Sequence, residues 1–330
     1  FIGKGAEAQE GATMYYIGID LGGTNIAAGL VNDRIEIVRK ASIPTGAQRT
    51  SGEIVKDMAK LCQRLLREEG LSAADLAYIG IATPGIANSD TGCVEYSCNL
   101  PFRNYPIAEE LKKAVGVSRV LIENDANAAA KGEAVAGSAK GVANSVMITL
   151  GTGVGGGIII DHKVYSGFNY AGAELGHMVI EHDGVSCSCG RRGCWEAYSS
   201  ATALIRMTRE KITECGSTTK MYDMVSGDIA NVSGKTAFAA AREGDRAAQE
   251  VVDTYIAYLA TGIANIINIF QPQVLSIGGG ISNERDNLLL PLRAIVEKEQ
   301  YSRDLPNRTD IRIAALRNDA GIIGAAVLGL

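Results

Sequence analysis

A short pattern occurs twice in the chain, and it constrains the fold more than any other feature of the sequence. Each copy consists of an apolar strand-like run, a turn rich in glycine and threonine, and a second strand-like run. The first copy surrounds LGGTN within residues 15–31, and the second surrounds LGTGV within residues 145–161, about 130 residues later. Such a repeat predicts two domains of similar build.

Strand and helix patterns alternate through the rest of the chain, which predicts the α/β class. Residues 53–70 place apolar side chains on one helical face, and two long helices are predicted at residues 201–215 and 246–270. Residues 254–283 carry no charge, yet several polar side chains interrupt them. We therefore expect a buried helix followed by a buried strand there, rather than a membrane span.

The composition narrows the class of protein. Of the 330 residues, 46% are apolar and 21% are charged, with a net charge of −5, which is typical of a globular protein and argues against a basic nucleic-acid-binding face. Seven cysteines, three of them close together, do not resemble a secreted disulfide framework, so we expect a cytoplasmic location. Residues 1–13 lack the apolar core of a signal peptide, and we interpret them as an artificial leader or a disordered segment.

The two glycine-rich turns have the residue types that phosphate binding requires. Glycine lets the backbone approach an anion closely, and a threonine hydroxyl adds a donor. Asp20 stands at the end of the first strand pattern, where a carboxylate can hold Mg²⁺. A third glycine turn, residues 278–280, suits a flat base or a ribose. Each turn alone is also compatible with an ordinary hairpin, and the pair is more specific than either.

Asn124 and Asp125 end a strand pattern and precede a helix pattern in IENDANAAA. A carboxylate in such a position can take a proton from a hydroxyl group, and an asparagine side chain can donate to and accept from sugar hydroxyls. The competing interpretation is helix capping by Asp125 or Asn127. These residues alone leave both interpretations open.

His177, Cys187, Cys189 and Cys194 offer one nitrogen and three sulfur ligands, a set that suits tetrahedral Zn²⁺. Four protein ligands complete the coordination sphere, which indicates a structural rather than a catalytic ion. A redox pair and a disulfide are the alternatives, but the first prefers a C-x-x-C spacing and the second leaves one thiol unpaired. The sequence therefore predicts zinc.

Glu174 and Glu196 each lie two or three residues from a predicted metal ligand. A metal that fixes His177 and Cys194 also fixes the backbone that carries these carboxylates. Paired carboxylates in a rigid polar pocket suit contacts with sugar hydroxyls. The alternative is that both are exposed glutamates on a loop.

The ordered set of motifs resembles the ROK family of repressors and sugar kinases, most of all its bacterial glucokinases. The segments that carry the resemblance are IGIDLGGTN, ATPG, ENDANAAAKGE, LGTGVGGGIII, AGAELGH, CSCGRRGCWEAYSS, IGGGIS and RNDAGIIGAA. The resemblance implies an actin-like fold of two α/β domains around a central cleft. The smaller domain would be residues 14–137 with 318–330, and the larger, zinc-bearing domain would be residues 138–317. It also implies phosphorylation of a hexose by ATP, with glucose converted to glucose 6-phosphate.

The resemblance further implies a role for each motif residue. Asp125 resembles the catalytic base, and the residues implied to bind sugar are Asn124, Asp125, Glu174, His177 and Glu196. His177 would contact both zinc and sugar. Mg²⁺ would be associated with Asp20, and the residues implied to bind ATP and its phosphates are Asp20, Gly22, Gly23, Thr24, Gly151, Thr152, Gly153, Gly278, Gly279 and Gly280.

Two departures from the family pattern leave the identity of the hexose open. Phe102 stands where related glucokinases often have a tryptophan, and Trp195 occupies a commonly aliphatic position. Kinases of N-acetylmannosamine, N-acetylglucosamine, fructose or allose are therefore the nearest alternatives. A ROK repressor would need an N-terminal helix-turn-helix, for which the strand pattern from Tyr15 leaves no room. The family implies a homodimer or homotetramer, and we expect neither a nucleic-acid nor a membrane partner.

Overall fold

The computed structural model describes residues 14–330, and the interpretation of residues 1–13 lies outside them. The chain divides into two compact units. The first runs as far as Glu123 and takes up Ala325–Leu330, and the second is the uninterrupted segment Asn124–Gly324. The first division differs from the predicted border at residue 137 because the helix after Glu123 packs against strands of the second unit, and the second division follows residue 324 rather than residue 317. The assignment of domains stays a prediction.

The first unit is built on a five-stranded sheet and a smaller three-stranded sheet. Its strands are β1 (Tyr15–Leu21), β2 (Asn25–Val31), β3 (Ile37–Pro44), β4 (Leu76–Thr83), β5 (Ile86–Asn88), β6 (Cys93–Tyr96), β7 (Arg103–Tyr105) and β8 (Val120–Asn124). The larger sheet has the order β3-β2-β1-β4-β8, with β1–β2 and β2–β3 antiparallel and β1–β4 parallel. The antiparallel β1–β2 pair is the hairpin predicted around LGGTN. Strands β5, β6 and β7 form the smaller, antiparallel sheet.

The second unit has one five-stranded sheet. Its strands are β9 (Ser145–Leu150), β10 (Val154–Ile160), β11 (Lys163–Val164), β12 (Val274–Gly278) and β13 (Asp310–Ile313). Their order is β11-β10-β9-β12-β13, with β9–β10 antiparallel and β9–β12 and β12–β13 parallel. Counted within each large sheet, both orders are third, second, first, fourth, fifth. The repeat seen in the sequence is therefore a repeat of sheet topology.

Helices pack against these sheets. In the described residues they are α1 (Ser51–Glu68), α2 (Ile107–Val115), α3 (Asp125–Ala136), α4 (Glu196–Ser199), α5 (Ala201–Cys215), α6 (Lys220–Met224), α7 (Thr236–Arg242), α8 (Arg246–Phe270), α9 (Asp286–Glu299) and α10 (Ala320–Ala326). Helices α5 and α8 have the predicted bounds. Thr50 and Glu53 form a capping box at the start of α1, and Ile54, Met58 and Leu65 on the predicted face are fully buried.

Each unit has its own apolar core. In the first unit, α1 and α2 cover the strands β1, β2 and β4, and Phe102 is fully buried there. In the second unit, α5, α7, α8 and α9 surround β9, β10 and β12. The uncharged stretch is confirmed as a buried helix, α8, followed by a buried strand, β12. Within residues 14–330, no helix is both long and apolar enough to span a membrane.

Candidate active site

Asn124 and Asp125 lie where strand β8 passes directly into helix α3. The Asn124 side-chain oxygen accepts hydrogen bonds from the backbone N–H groups of Ala126 and Asn127, at 2.9 and 3.2 Å. The helix cap is therefore Asn124, and its assignment to Asp125 or Asn127 is wrong. Asp125 is the first helical residue, and one of its carboxylate oxygens accepts from the Ala126 N–H at 2.8 Å.

The surroundings of Asp125 disfavour its charged form more than water does. Solvent reaches its side chain, yet the surrounding protein displaces enough water that desolvation raises the pKa of the carboxyl group. Hydrogen bonds from the Ala126 N–H and from the Asn124 side chain oppose this rise in pKa. A carboxylate with a raised pKa is a stronger proton acceptor, which suits a general base.

Glu174 connects Asp125 electrostatically with the residues near the cysteine cluster. Desolvation raises the pKa of Glu174, the nearby His177 lowers it, and the carboxyl groups of Asp125 and Glu196 raise it further. Coulomb interactions of this kind require short separations. The structure therefore brings these four predicted sugar-binding residues into one neighbourhood of the second unit, although Glu174 itself is an exposed side chain.

Glu196 begins helix α4, and its two carboxylate oxygens have different neighbours. Oε2 accepts a hydrogen bond from the Val154 backbone N–H at 2.9 Å. Oε1 lies 3.7 Å from the Cys187 sulfur and 3.5 Å from the Ser188 hydroxyl. Glu196 is half-buried, so the alternative of an exposed loop glutamate is wrong for this residue. It connects the cysteine cluster to the turn between β9 and β10.

The four predicted metal ligands converge. One ligand atom each from His177, Cys187, Cys189 and Cys194 lies within 4.8 Å of all the others. The Cys187 sulfur is 3.7 Å from His177 Nδ1, and the sulfur atoms of Cys189 and Cys194 are 3.7 Å apart. Tetrahedral zinc with bonds of about 2.3 Å to sulfur places its ligands about 3.8 Å apart. The two 3.7 Å separations match the spacing that this ion requires, and the three cysteines are free rather than disulfide-bonded.

The chemistry of the donor set also fits a cation. Burial raises the pKa of the Cys194 thiol to about 12, whereas a hydrogen bond from the Arg191 backbone lowers the pKa of Cys189. The protein alone therefore disfavours a thiolate at Cys194. A divalent cation reverses this preference, because a coordinated thiol loses its proton.

Trp195 anchors the segment between the last cysteine and Glu196. It is fully buried, and its Nε1 donates a hydrogen bond to the Tyr258 carbonyl of helix α8 at 3.0 Å. Gly262, one turn further along α8, makes room for the ring. The departure from the family pattern at Trp195 is therefore a core residue of the second unit, adjacent in sequence to both a predicted metal ligand and a predicted sugar ligand.

Two predicted ATP-binding turns lie at one edge of the second sheet. β9 and β12 are parallel neighbours, and Gly278 at the end of β12 pairs with Thr149 near the end of β9. Gly279 follows with a φ of +83°, and a Cβ added to it would lie 2.4 Å from the Leu150 carbonyl oxygen. Only glycine allows this approach. The turns at residues 151–153 and 278–280 are consequently adjacent.

The Asp20 turn belongs to the first unit. Asp20 lies at the carboxyl end of β1, and Thr45 holds the turn that follows. The Thr45 hydroxyl donates to the Gly22 carbonyl at 2.6 Å, and its N–H donates to the Thr24 carbonyl at 2.8 Å. The residue that directly follows strand β3 therefore fixes the backbone of this turn.

Side chains that brace the turns are the part of the site that sequence reasoning missed. A Cβ added to Gly23 would lie 3.3 Å from Asn99 Nδ2, so the Asn99 amide covers the Asp20 turn. The Thr202 hydroxyl donates to the Thr152 carbonyl at 2.8 Å across a separation of 50 positions. No local motif indicates contacts between segments so far apart in the chain.

Comparison with known proteins decides the family. A family model for ROK matches residues 16–330. The chain belongs to the ROK family. This ROK protein is 36% identical to the glucokinase of Halalkalibacterium halodurans over 315 residues, which cover 95% of this chain and 94% of that protein. It is 30% identical to the xylose repressor of Bacillus subtilis over 311 residues, which cover 94% of this chain and 75% of that protein.

The fold of the ROK protein is similar to that of solved family members. A ROK family glucokinase from Streptomyces griseus, in complex with glucose and AMPPNP, matches with a TM-score of 0.79 and 32% identity, covering 95% of this chain and 98% of that one. This likeness confirms the predicted two-domain α/β fold of the actin-like type. The roles of single residues stay predictions.

Proposed function

We propose that this ROK protein transfers the γ-phosphoryl group of ATP to the 6-hydroxyl of glucose. The observation that carries the proposal is the grouping of Asp125, which has a raised pKa, with Glu174, His177 and Glu196. A proton acceptor then stands beside groups that suit sugar hydroxyls. The similarity to the glucokinase of H. halodurans, and to the S. griseus enzyme bound to glucose and AMPPNP, supports both substrates.

In the proposed reaction, Asp125 accepts the proton of the glucose 6-hydroxyl. The oxygen of that hydroxyl attacks the γ-phosphorus of ATP in line. The bond from the γ-phosphorus to the bridging oxygen breaks, and ADP leaves with that electron pair. Catalysis then consists mainly of positioning and of neutralising phosphoryl charge. Residues 22–24 and 151–153 would bind the phosphates, Mg²⁺ would enter with ATP near Asp20, and residues 278–280 would bind adenosine.

The other side chains would orient the sugar. Glu174, His177 and Glu196 offer acceptors and donors for the remaining hydroxyls. The Asn124 oxygen is committed to the helix cap, so its contact with sugar would come from the amide nitrogen. Differences among these contacts would decide between glucose and the other hexoses.

We infer that the cysteine cluster holds structural Zn²⁺, because the donor types and the 3.7 Å spacings fit that ion. The ion would supply a rigid cross-link among His177, Cys187, Cys189 and Cys194. Trp195 and Glu196 directly follow Cys194, and both are fixed by further contacts. The protein's own residues thus orient Glu196 from one side by the cluster and from the other by the β9–β10 turn.

Replacement of Asp125 tests the proposal. Asp125→Asn keeps the size of the side chain and removes the proton acceptor, so turnover in a coupled ADP-release assay should fall by about 10²–10⁴-fold. Glucose affinity, followed by the fluorescence of the single tryptophan Trp195, should stay near that of the unmodified protein. Asp253→Asn, the same change at an exposed position of α8, is the matched control. Near-normal turnover in Asp125→Asn would remove Asp125 from the chemistry.

A sugar-responsive regulator is the second candidate, because the B. subtilis xylose repressor covers nearly the whole chain at 30% identity. A panel of glucose, fructose, allose, N-acetylglucosamine and N-acetylmannosamine separates the candidates. Turnover with one sugar identifies a kinase and its substrate, and binding without turnover for every sugar favours the regulator. We further propose a cytoplasmic enzyme of glycolysis that forms a homodimer or homotetramer, which size-exclusion chromatography with light scattering would measure.

A further inference from the structure

The turn at residues 151–153 is held by a single nearby segment of the chain, which begins at Glu196 and ends at Thr202. Each of the three contacts involves a different residue of that segment. The hydrogen bonds are Val154 N–H to Glu196 Oε2 at 2.9 Å, Ala201 N–H to the Gly151 carbonyl at 2.8 Å, and Thr202 Oγ1 to the Thr152 carbonyl at 2.8 Å. The segment therefore contacts the three successive peptides that link Gly151 to Val154.

The contact made by Thr202 is not needed by helix α5. The cap of this helix is Ser200, whose hydroxyl accepts from the Ala203 N–H at 3.1 Å. The Thr202 side chain is exposed and stands on the first turn of the helix. Its hydroxyl can therefore act on the neighbouring turn without any loss to the helix.

The two carbonyl contacts fix the direction of two backbone N–H groups. In a trans peptide, the C=O and N–H groups point in opposite directions. Because α5 holds the carbonyls of Gly151 and Thr152, the N–H groups of Thr152 and Gly153 point away from α5. Successive N–H groups that point to one side form a binding place for an anion. Glycine residues on both sides of Thr152 make this arrangement loose unless something braces it.

We propose that Thr202 is a positioning residue for phosphoryl transfer, which acts through the Thr152 carbonyl to aim the Gly153 N–H at a phosphate of ATP. This inference rests on the proposed kinase function. It assigns a role in nucleotide binding to a residue outside the predicted sugar-binding and metal-binding sets.

The test compares three variants in steady-state kinetics and in binding. Thr202→Val removes the hydroxyl at nearly constant volume, and Thr202→Ser keeps it. Thr213→Val is the matched control, because Thr213 is an exposed threonine of the same helix whose hydroxyl donates only within α5, to the Arg209 carbonyl at 2.8 Å. Glucose affinity is measured without nucleotide by Trp195 fluorescence, and AMPPNP affinity is measured by calorimetry.

We expect Thr202→Val to lower kcat/KM for ATP, and AMPPNP affinity, about 3–10-fold, the effect of one lost hydrogen bond. Glucose affinity and Tm should match those of Thr213→Val, and Thr202→Ser should restore ATP use. The proposal is overturned if Thr202→Val uses ATP within twofold of Thr213→Val, if glucose affinity falls as much as ATP affinity, or if Thr202→Ser fails to restore it. The unmodified protein is assayed first, so that an inactive kinase and an unimportant Thr202 give different results.

Discussion

Packing between Trp195 and Gly262 offers a sharp test of the second unit's core. A Cβ added at Gly262 would lie 2.0 Å from Cε2 and 2.3 Å from Nε1 of Trp195. Carbon atoms in contact normally stand about 3.5–4.0 Å apart. The ring is fully buried and hydrogen-bonded to the Tyr258 carbonyl, so it has no solvent side into which it can move. Gly262→Ala therefore forces a displacement of the ring, of α8 or of both.

The magnitude follows from two opposing contributions. Alanine is more favourable than glycine inside a helix by about 1 kcal/mol. Overpacking a well-filled core costs about 1–3 kcal/mol, and a weakened Trp195–Tyr258 hydrogen bond adds about 1 kcal/mol. We expect a net loss of about 1–3 kcal/mol in the free energy of unfolding, with a fall in Tm of about 2–4 °C per kcal/mol.

Urea and thermal unfolding followed by Trp195 fluorescence measure this loss. Gly52→Ala is the control, because Gly52 is also helical and its nearest neighbour to an added Cβ is the Tyr105 hydroxyl at 3.8 Å. Its stability should be unchanged or slightly higher. Trp195→Leu in the Gly262→Ala background should cost less than the sum of the two single changes, since it removes the clash; this pair is followed by circular dichroism. A Gly262→Ala protein as stable as the unmodified one would refute the packing argument.

Two further predictions concern the site. In the pH profile of kcat/KM, the apparent pKa of the acid limb should lie above the ordinary aspartate value of about 3.9, because desolvation raises the pKa of Asp125. The base acts only when deprotonated, so activity is lost as the pH falls through the raised pKa. An acid limb with an apparent pKa at or below about 3.9 would contradict this role. Cys194→Ser should lose both zinc, measured by elemental analysis, and glucose affinity. Cys215 is a half-buried cysteine outside the cluster, so Cys215→Ser should keep both. Equal zinc content in the two variants would rule out the proposed ligand set.

Local patterns predicted those elements whose boundaries depend on nearby residues. The bounds of α5 and α8 follow from apolar periodicity and polar or glycine residues at their ends. The cap of α3 was misassigned because Asn124, Asp125 and Asn127 are all good capping types, and only the backbone geometry separates them. The residue types in such a run do not determine which of them stands at the cap position.

In the candidate site, too, some features could be predicted from the sequence and others depend on the tertiary structure. Cysteine and histidine are infrequent in this sequence and are the usual zinc ligands, so His177 and the three cysteines could be grouped from the sequence alone. The structure brings them together. The pKa of Glu174 is raised first by desolvation and then by the carboxyl groups of Asp125 and Glu196, and both causes arise only in the folded chain. The bracing contact of Thr202 is likewise a product of tertiary structure, since threonine near a helix start is common and carries no distinguishing signal.

The division of the chain has a consequence for its synthesis on the ribosome. The second unit is one uninterrupted segment and can complete its contacts as soon as it has emerged. The first unit, although translated earlier, must wait for Ala325–Leu330, whose residues bond to Tyr78: its hydroxyl donates to the Ala326 carbonyl at 2.7 Å and accepts from the Gly329 N–H at 3.1 Å. The part translated first therefore takes its final contacts from the part translated last, so its native structure is complete only at the end of synthesis.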